Sequence, residues 1–162
     1  GTSSRVLPKD VGGYTLGVLV NANHGDKHQL RIHNKKPEGA RTGQRPARKP
    51  HQDGSIVVII ATDAPLDARQ LSRISKRAML GIARTGAIAS HGSGDVALAF
   101  STANRVPHYP KKRSFSMELL SDFHIDPLFE AVADAAEEAL LNALYSAKTM
   151  VGRDGNRVEA FQ

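Results

Sequence analysis

From Gly13 onward apolar and polar positions alternate: Tyr14, Leu16, Val18 and Val20 fall on one side, and Thr15, Gly17, Leu19 and Asn21 on the other. A period of two predicts a strand with one firmly apolar face. The turn residues of "NHGD" follow, and His28 to His33 predicts a second, more polar strand hairpinned to the first. Ile56 to Ile60 is an unbroken β-branched run, the pattern of a central strand covered on both faces. The period then becomes helical. Asp67 with Gln70 three residues later is a capping-box signal, and Leu71, Ile74, Ala78 and Ile82 recur at helical spacing until about Arg84 to Gly86. Past the glycines of "HGSGD", Val96 to Ser101 predicts another buried strand, and "NRVPHYPKKR" an exposed connection. Asp126 as N-cap, with Pro127 at the first helical position, opens a long Ala-rich helix. One face of it is marked by Phe129, Val132, Ala136, Leu140, Ala143 and Leu144, to about Met150. Gly1 to Asp10 reads as loop. Strands alternating with two substantial helices predict an α/β or α+β protein with helices packed on a sheet, without internal repeats.

The totals narrow the chemistry. With 162 residues, 40% of them apolar, the chain is long enough for one domain with a sizeable core. No run approaches the roughly 18 to 20 apolar residues of a membrane span, so a soluble protein without a membrane partner is expected. There is no cysteine. Disulfides, thiolate nucleophiles and cysteine-ligated zinc are therefore excluded, and catalysis would fall to oxygen and nitrogen groups. His24, His28, His33, His51, His91, His108 and His124 show no metal-ligand spacing, so neither metal nor cofactor is expected.

The net charge of +6 is not spread evenly. Lys27, Arg31, Lys35, Lys36, Arg41, Arg45, Arg48 and Lys49 stand against Glu38 alone, and the rest of the chain is close to neutral. That segment also holds Pro37, Pro46 and Pro50 and has no aromatic side chain on which a base could stack. It reads as a solvated loop in preference to a nucleic-acid arm.

Three places could carry chemistry. Ser55 follows Asp53-Gly54 at the head of the most hydrophobic run. A serine hydroxyl needs a neighbouring base to attack at neutral pH. Cleavage before Ser55 would free an α-amine of pKa about 7.7 to 8, able to serve as that base. Gly54 suits such a cut, because a residue without Cβ tolerates the strained backbone it requires. Taken alone, the same residues read more readily as a turn entering a strand. In "SHGSGD", Ser90 to Asp95, glycines around Ser93 allow close backbone approach, and Asp95 could orient a hydroxyl or hold an amine; a Gly-rich turn is the plainer reading. In "VLVNANHG", Asn23 could aim its amide at a developing oxyanion, or simply form a turn.

Read together in chain order, "GTSSRV", "GYTLGVLVNANHG", "GSIVVIIATDAPL", "RAMLGIARTG" and "HGSGDVALAFSTAN" resemble the L-aminopeptidase/D-esterase/amidase family, which includes D-aminopeptidases and β-peptidyl aminopeptidases. The resemblance covers nearly all of Gly1 to Asn104 and continues loosely through the last helix. It implies an N-terminal-nucleophile serine hydrolase that cuts its own precursor between Gly54 and Ser55. Residues 1–54 would close the α chain with a basic processing loop, and residues 55–162 would form the β chain, together part of one domain. The resemblance assigns Ser55 as nucleophile, Ser93 and Asp95 as its assisting hydroxyl and acid, and Asn23 as oxyanion donor. Either the α-amine of Ser55 or a relay through Ser93 toward Asp95 would be the base.

The implied fold is a four-layer αββα sandwich, shared with ornithine acetyltransferases and assembled into tetramers of αβ units. Implied substrates are short peptides, amides or esters with a free amino group, with L-, D- or β-amino acids at the cleaved end. Family members carry a long portion before the "GTSSRV" block. This chain thus corresponds to about the carboxy-terminal half, and an amino-terminal remainder of the α chain is an expected partner. By itself the half would expose a large apolar sheet face. A cytoplasmic location is expected, with a periplasmic one the alternative, since the true amino terminus lies elsewhere. Two other functions compete: an ornithine-acetyltransferase-like acyl carrier, disfavoured because its nucleophile is threonine, and a basic nucleic-acid-binding module.

Overall fold

A computed structural model of the chain describes residues 1–37 and 54–161. The part of the basic segment between them, most of the proposed processing loop, lies outside the described residues. Four strands form one mixed sheet in the order β1 (Thr2–Val6), β2 (Thr15–Asn23), β3 (Ser55–Thr62) and β4 (Val96–Ser101). The first three neighbour one another antiparallel, and β3 and β4 run parallel. The parallel pair needs a crossover, which α1 (Ala68–Arg84) supplies. A second helix, α2 (Asp126–Ser146), packs on α1 and on β1 and β2. A short hairpin of β5 (Met150–Val151) and β6 (Arg157–Val158) ends the described chain.

Alternation along the strands decides where the core lies. Leu16, Val18 and Val20 of β2 share a face with Ile56, Val58 and Ile60 of β3, through the register pairs Val18–Ile60 and Val20–Val58. Both helices cover that face. Ile74, Ala78 and Ile82 of α1 and Leu128, Val132, Ala136 and Ala139 of α2 join the same buried cluster. The opposite face has no cover among the described residues. Its side chains are nonetheless apolar: Leu19, Val57, Val96, Leu98 and Phe100 are 39 to 56% exposed. Ile56 to Ile60 is therefore buried on one face only, where the sequence predicted two. The run is apolar on both sides, although only one side is covered among the described residues. One helix layer and one sheet layer are present, two of the four that the αββα expectation names.

Other differences have local causes. Residues 28–33 do not pair with β2, whose two edges are already taken by β1 and β3. Instead Gln29 N–H donates to Asp26 O and Leu30 N–H to Lys27 O, while Arg31 N–H reaches Thr85 O at the end of α1 (2.8 Å). The opening residues are not loop but the edge strand β1, whose apolar signal is weak because its inward side chains are polar. Ser3 Oγ donates to Glu138 of α2 at 2.6 Å, beside an Arg5–Glu138 ion pair. The α1 capping box forms as expected, Asp67 accepting from Gln70 N–H at 2.6 Å and Gln70 Oε1 from Asp67 N–H at 3.2 Å. In α2 the N-cap is Ile125, Asp126 is already helical, and the helix stops at Ser146, four residues before Met150.

Candidate active site

The site is assembled from strand ends. Asn23 closes β2 and Ser55 opens β3, and antiparallel pairing makes them register partners. Ser55 alternates with buried Ile56, so it stands with Val57 and Ile59 on the uncovered face, and both it and Asn23 are exposed. On the other side of β3, the parallel register pairs Val57 with Val96. The two residues before Val96 are consequently level with Ser55, which brings the 93–95 turn against the serine.

Two hydrogen bonds define that corner. Ser93 Oγ donates to Asp95 Oδ1 at 2.5 Å, and Gly94 N–H donates to Ser55 Oγ at 3.2 Å. A third, from Ser93 N–H to Ser90 O at 2.7 Å, closes the turn behind them. Ser55, Ser93, Asp95 and Asn23, singled out separately in the sequence, thus meet at one end of the sheet. Ser93 is the nearer partner of Asp95, and the group that touches the Ser55 hydroxyl is the intervening amide of Gly94.

Gly54 is required by proximity. A Cβ there would stand 2.9 Å from Asn23 O and 3.1 Å from His24 Cα, closer than a side chain tolerates. The sequence argument expected a strained backbone at Gly54; its φ is outside the left-handed region, and crowding against the end of β2 is the reason for glycine.

Asn23, His24, Gly54, Ser90 and Ser93 line a cleft beside this corner. Its walls are mostly polar. His24 is half-buried in it, and its Nδ1 has no hydrogen-bond partner among the described residues. Burial lowers the imidazole pKa below its ordinary 6.5, with the Asp95 charge pulling the other way. The ring is therefore mainly neutral at pH 7. Sequence reasoning missed His24 and the N–H of Gly94. A backbone donor leaves no mark on residue type, and only the parallel pairing of β3 and β4 would have pointed to it. Among the described residues no three His, Asp or Glu side chains gather as a metal site, and no helix is long and apolar enough to cross a membrane.

Over residues 1–158 the chain matches the model of peptidase family S58. It is 41% identical over 170 residues to the beta-peptidyl aminopeptidase BapA of Sphingosinicella xenopeptidilytica, across 98% of this chain and 42% of that protein. Among solved structures, the PH0078 protein of Pyrococcus horikoshii OT3 superposes with a TM-score of 0.85 at 45% identity, over 99% of this chain and 43% of that one. The L-aminopeptidase D-Ala-esterase/amidase of Ochrobactrum anthropi, described as a prototype of the serine aminopeptidases and a new variant among the Ntn hydrolase fold, gives 0.84 at 37% identity, over 100% and 44%. This chain thus spans less than half the length of each of these relatives.

Proposed function

Because the chain belongs to peptidase family S58, we propose that it is the nucleophile-bearing portion of a self-processing serine aminopeptidase or amidase. In the maturation step Ser55 Oγ attacks the carbonyl carbon of Gly54. The C–N bond to Ser55 breaks as the C–Oγ bond forms, and the hydroxyl proton ends on the released amine. Water then hydrolyses the ester, leaving a carboxylate on Gly54 and a free hydroxyl on Ser55. In turnover the same oxygen attacks the carbonyl of a substrate's first residue. The leaving amine or alcohol takes the proton, and water releases the amino acid. Asn23 would donate to the carbonyl oxygen as it gains charge. The new α-amine of Ser55, or Ser93 with Asp95, would move the proton.

The observation that carries this reading is the placement of Ser55 Oγ: on the open face, opposite Asn23 and under the 93–95 turn. A structural serine at the head of a core strand would be turned inward or tied to its own turn. The substrates we propose are short peptides, amides or esters bearing a free amino group, β-peptides among them, as the name of the 41%-identical relative suggests. The remainder of the longer protein would cover the apolar face of the sheet and complete the pocket, and αβ units would associate as a tetramer. Serine at position 55, where the acetyltransferase reading calls for threonine, favours the hydrolase.

Intact mass and amino-terminal sequencing of the purified full-length protein test the proposal. Two fragments, one of them beginning at Ser55, are expected. A single uncut chain that hydrolyses amino-acid amides would overturn it.

A further inference from the structure

We infer that the backbone N–H of Gly94 is a catalytic hydrogen-bond donor to the nucleophile, serving both self-cleavage and turnover. The inference rests on Ser55 being that nucleophile and goes beyond it by naming the group that stabilises its oxygen.

The placement follows from topology. Parallel pairing of β3 with β4 holds Gly94 level with Ser55, and its N–H meets Oγ at 3.2 Å. The turn that carries it is braced on both sides, by Ser93 Oγ to Asp95 and by Ser93 N–H to Ser90 O. Glycine is what lets the strand end come this close. A Cβ at position 94 would stand 3.2 Å from Ser55 Oγ, a contact tight enough to push the hydroxyl off its donor by a few tenths of an ångström.

A serine hydroxyl has one hydrogen and two lone pairs. With one lone pair engaged by Gly94, the hydrogen must point elsewhere, toward whichever group removes it, and the second lone pair remains for attack. As the proton leaves, negative charge grows on Oγ, and a neutral hydrogen bond becomes a charge-assisted one, about twice as strong. The donor is fixed in the backbone and needs no reorganisation as the charge appears. The same charge returns to Oγ when the acyl–oxygen bond breaks in hydrolysis, so the N–H acts in acylation and deacylation alike. Asn23 faces a different atom, the carbonyl oxygen. The two donors therefore act at different moments, Gly94 on Oγ as its proton leaves and again as the acyl–oxygen bond breaks, and Asn23 on the former carbonyl oxygen while the tetrahedral intermediate exists.

The test replaces one atom group in the full-length protein: Gly94→glycolic acid, an ester that keeps the backbone shape and exchanges the N–H for oxygen. Two rates are read, kcat/KM for alanine p-nitroanilide and phosphonylation by a fluorophosphonate, in which Oγ displaces fluoride from phosphorus. Both should fall by on the order of tenfold or more, with the thermal midpoint close to the parent's. Rates within twofold of the parent's would overturn the inference. Should the ester variant not fold, a crystal structure of the parent phosphonylated at Ser55 decides: Gly94 nitrogen within about 3.5 Å of Oγ upholds the inference, and a longer separation refutes it. A fluorophosphonate that labels another residue in the parent would instead defeat the assignment of Ser55, and the inference with it.

Discussion

Asn23 and Ser55 are register partners, the last residue of β2 facing the first residue of β3. Partners in an antiparallel pair have Cα atoms about 4.5 to 5.5 Å apart. If Ser55 and Asn23 have the roles proposed for them, the sheet register itself sets the spacing between nucleophile and oxyanion donor, without any loop having to close. Asn23→Ala should lower kcat on the order of a hundredfold to a thousandfold, with a smaller change in KM. Steady-state kinetics of the processed full-length enzyme would show it. An unchanged kcat would remove Asn23 from the mechanism.

Ser55→Ala should leave the precursor as one chain and abolish hydrolysis of D- and L-alanine p-nitroanilide. The side chain is exposed and accepts one hydrogen bond at 3.2 Å, so stability should move by no more than about 0.5 kcal/mol. Mass spectrometry, activity and thermal unfolding of the one variant separate chemistry from folding. Retained turnover would refute the assignment.

The face of the sheet opposite the helices gives opposite expectations in two contexts. Leu98 and Phe100 are 56% and 43% exposed, and a soluble monomer rarely leaves such neighbours uncovered. Phe100→Lys should make residues 1–162 alone less prone to self-association, read by light scattering. In the full-length protein the same substitution should destabilise by several kcal/mol, because it puts a charge into a sheet-to-sheet interface. Equal, small effects in both would mean that nothing covers this face. For contrast, Ile74→Ala, on the helix-covered side and fully buried, should cost about 2 to 5 kcal/mol in either context.

Which parts were legible in the sequence follows from what leaves a trace in residue type. Ile74, Ala78 and Ile82 repeat at helical spacing because one face of α1 is buried, and Asp67 with Gln70 marks its start chemically. Both signals are local. Strand β1 was invisible because Ser3 and Arg5 meet Glu138, a partner more than 130 residues away. The run from Ile56 to Ile60 was read as doubly buried, and among the described residues only one of its faces is covered. At the site, Ser55, Ser93, Asp95 and Asn23 stood out one by one, and the order of five sequence blocks gave them their expected roles. Their convergence depends on the β2–β3 and β3–β4 registers, which no single block encodes.

Residue Asp122 should govern part of the acid stability. Its carboxylate accepts from Gln70 Nε2 at 2.7 Å and meets Arg69 at 2.9 Å and Arg73 at 3.3 Å. The hydrogen bonds from Arg69 and Gln70 hold its pKa at about 2, against an ordinary 3.8. A depressed carboxylate pKa means that the unfolded chain binds the proton first as pH falls. The contribution of Asp122 is then complete above about pH 4 and is lost as pH falls toward 2. Urea unfolding of Asp122→Asn and parent should differ above pH 4 and converge near pH 2. A difference independent of pH would point to packing in place of charge.

His24 should act at milder acidity and in the site itself. Burial depresses its pKa below 6.5, more than the Asp95 charge restores it. For an imidazole buried neutral, protons bind preferentially to the unfolded chain below pH 6.5, so stability falls with pH from there down through the folded pKa. Because His24 is bonded directly to Asn23 and packs against Gly54, its protonation should disturb the oxyanion donor before the rest of the molecule. The acid limb of kcat should therefore fall ahead of global unfolding. His24→Gln, which keeps a polar side chain without a titrating ring, should flatten that limb below pH 6.5 and remove the matching slope in stability. If the limb persists unchanged in His24→Gln, the titrating group is another one, with the α-amine of Ser55 the first to examine.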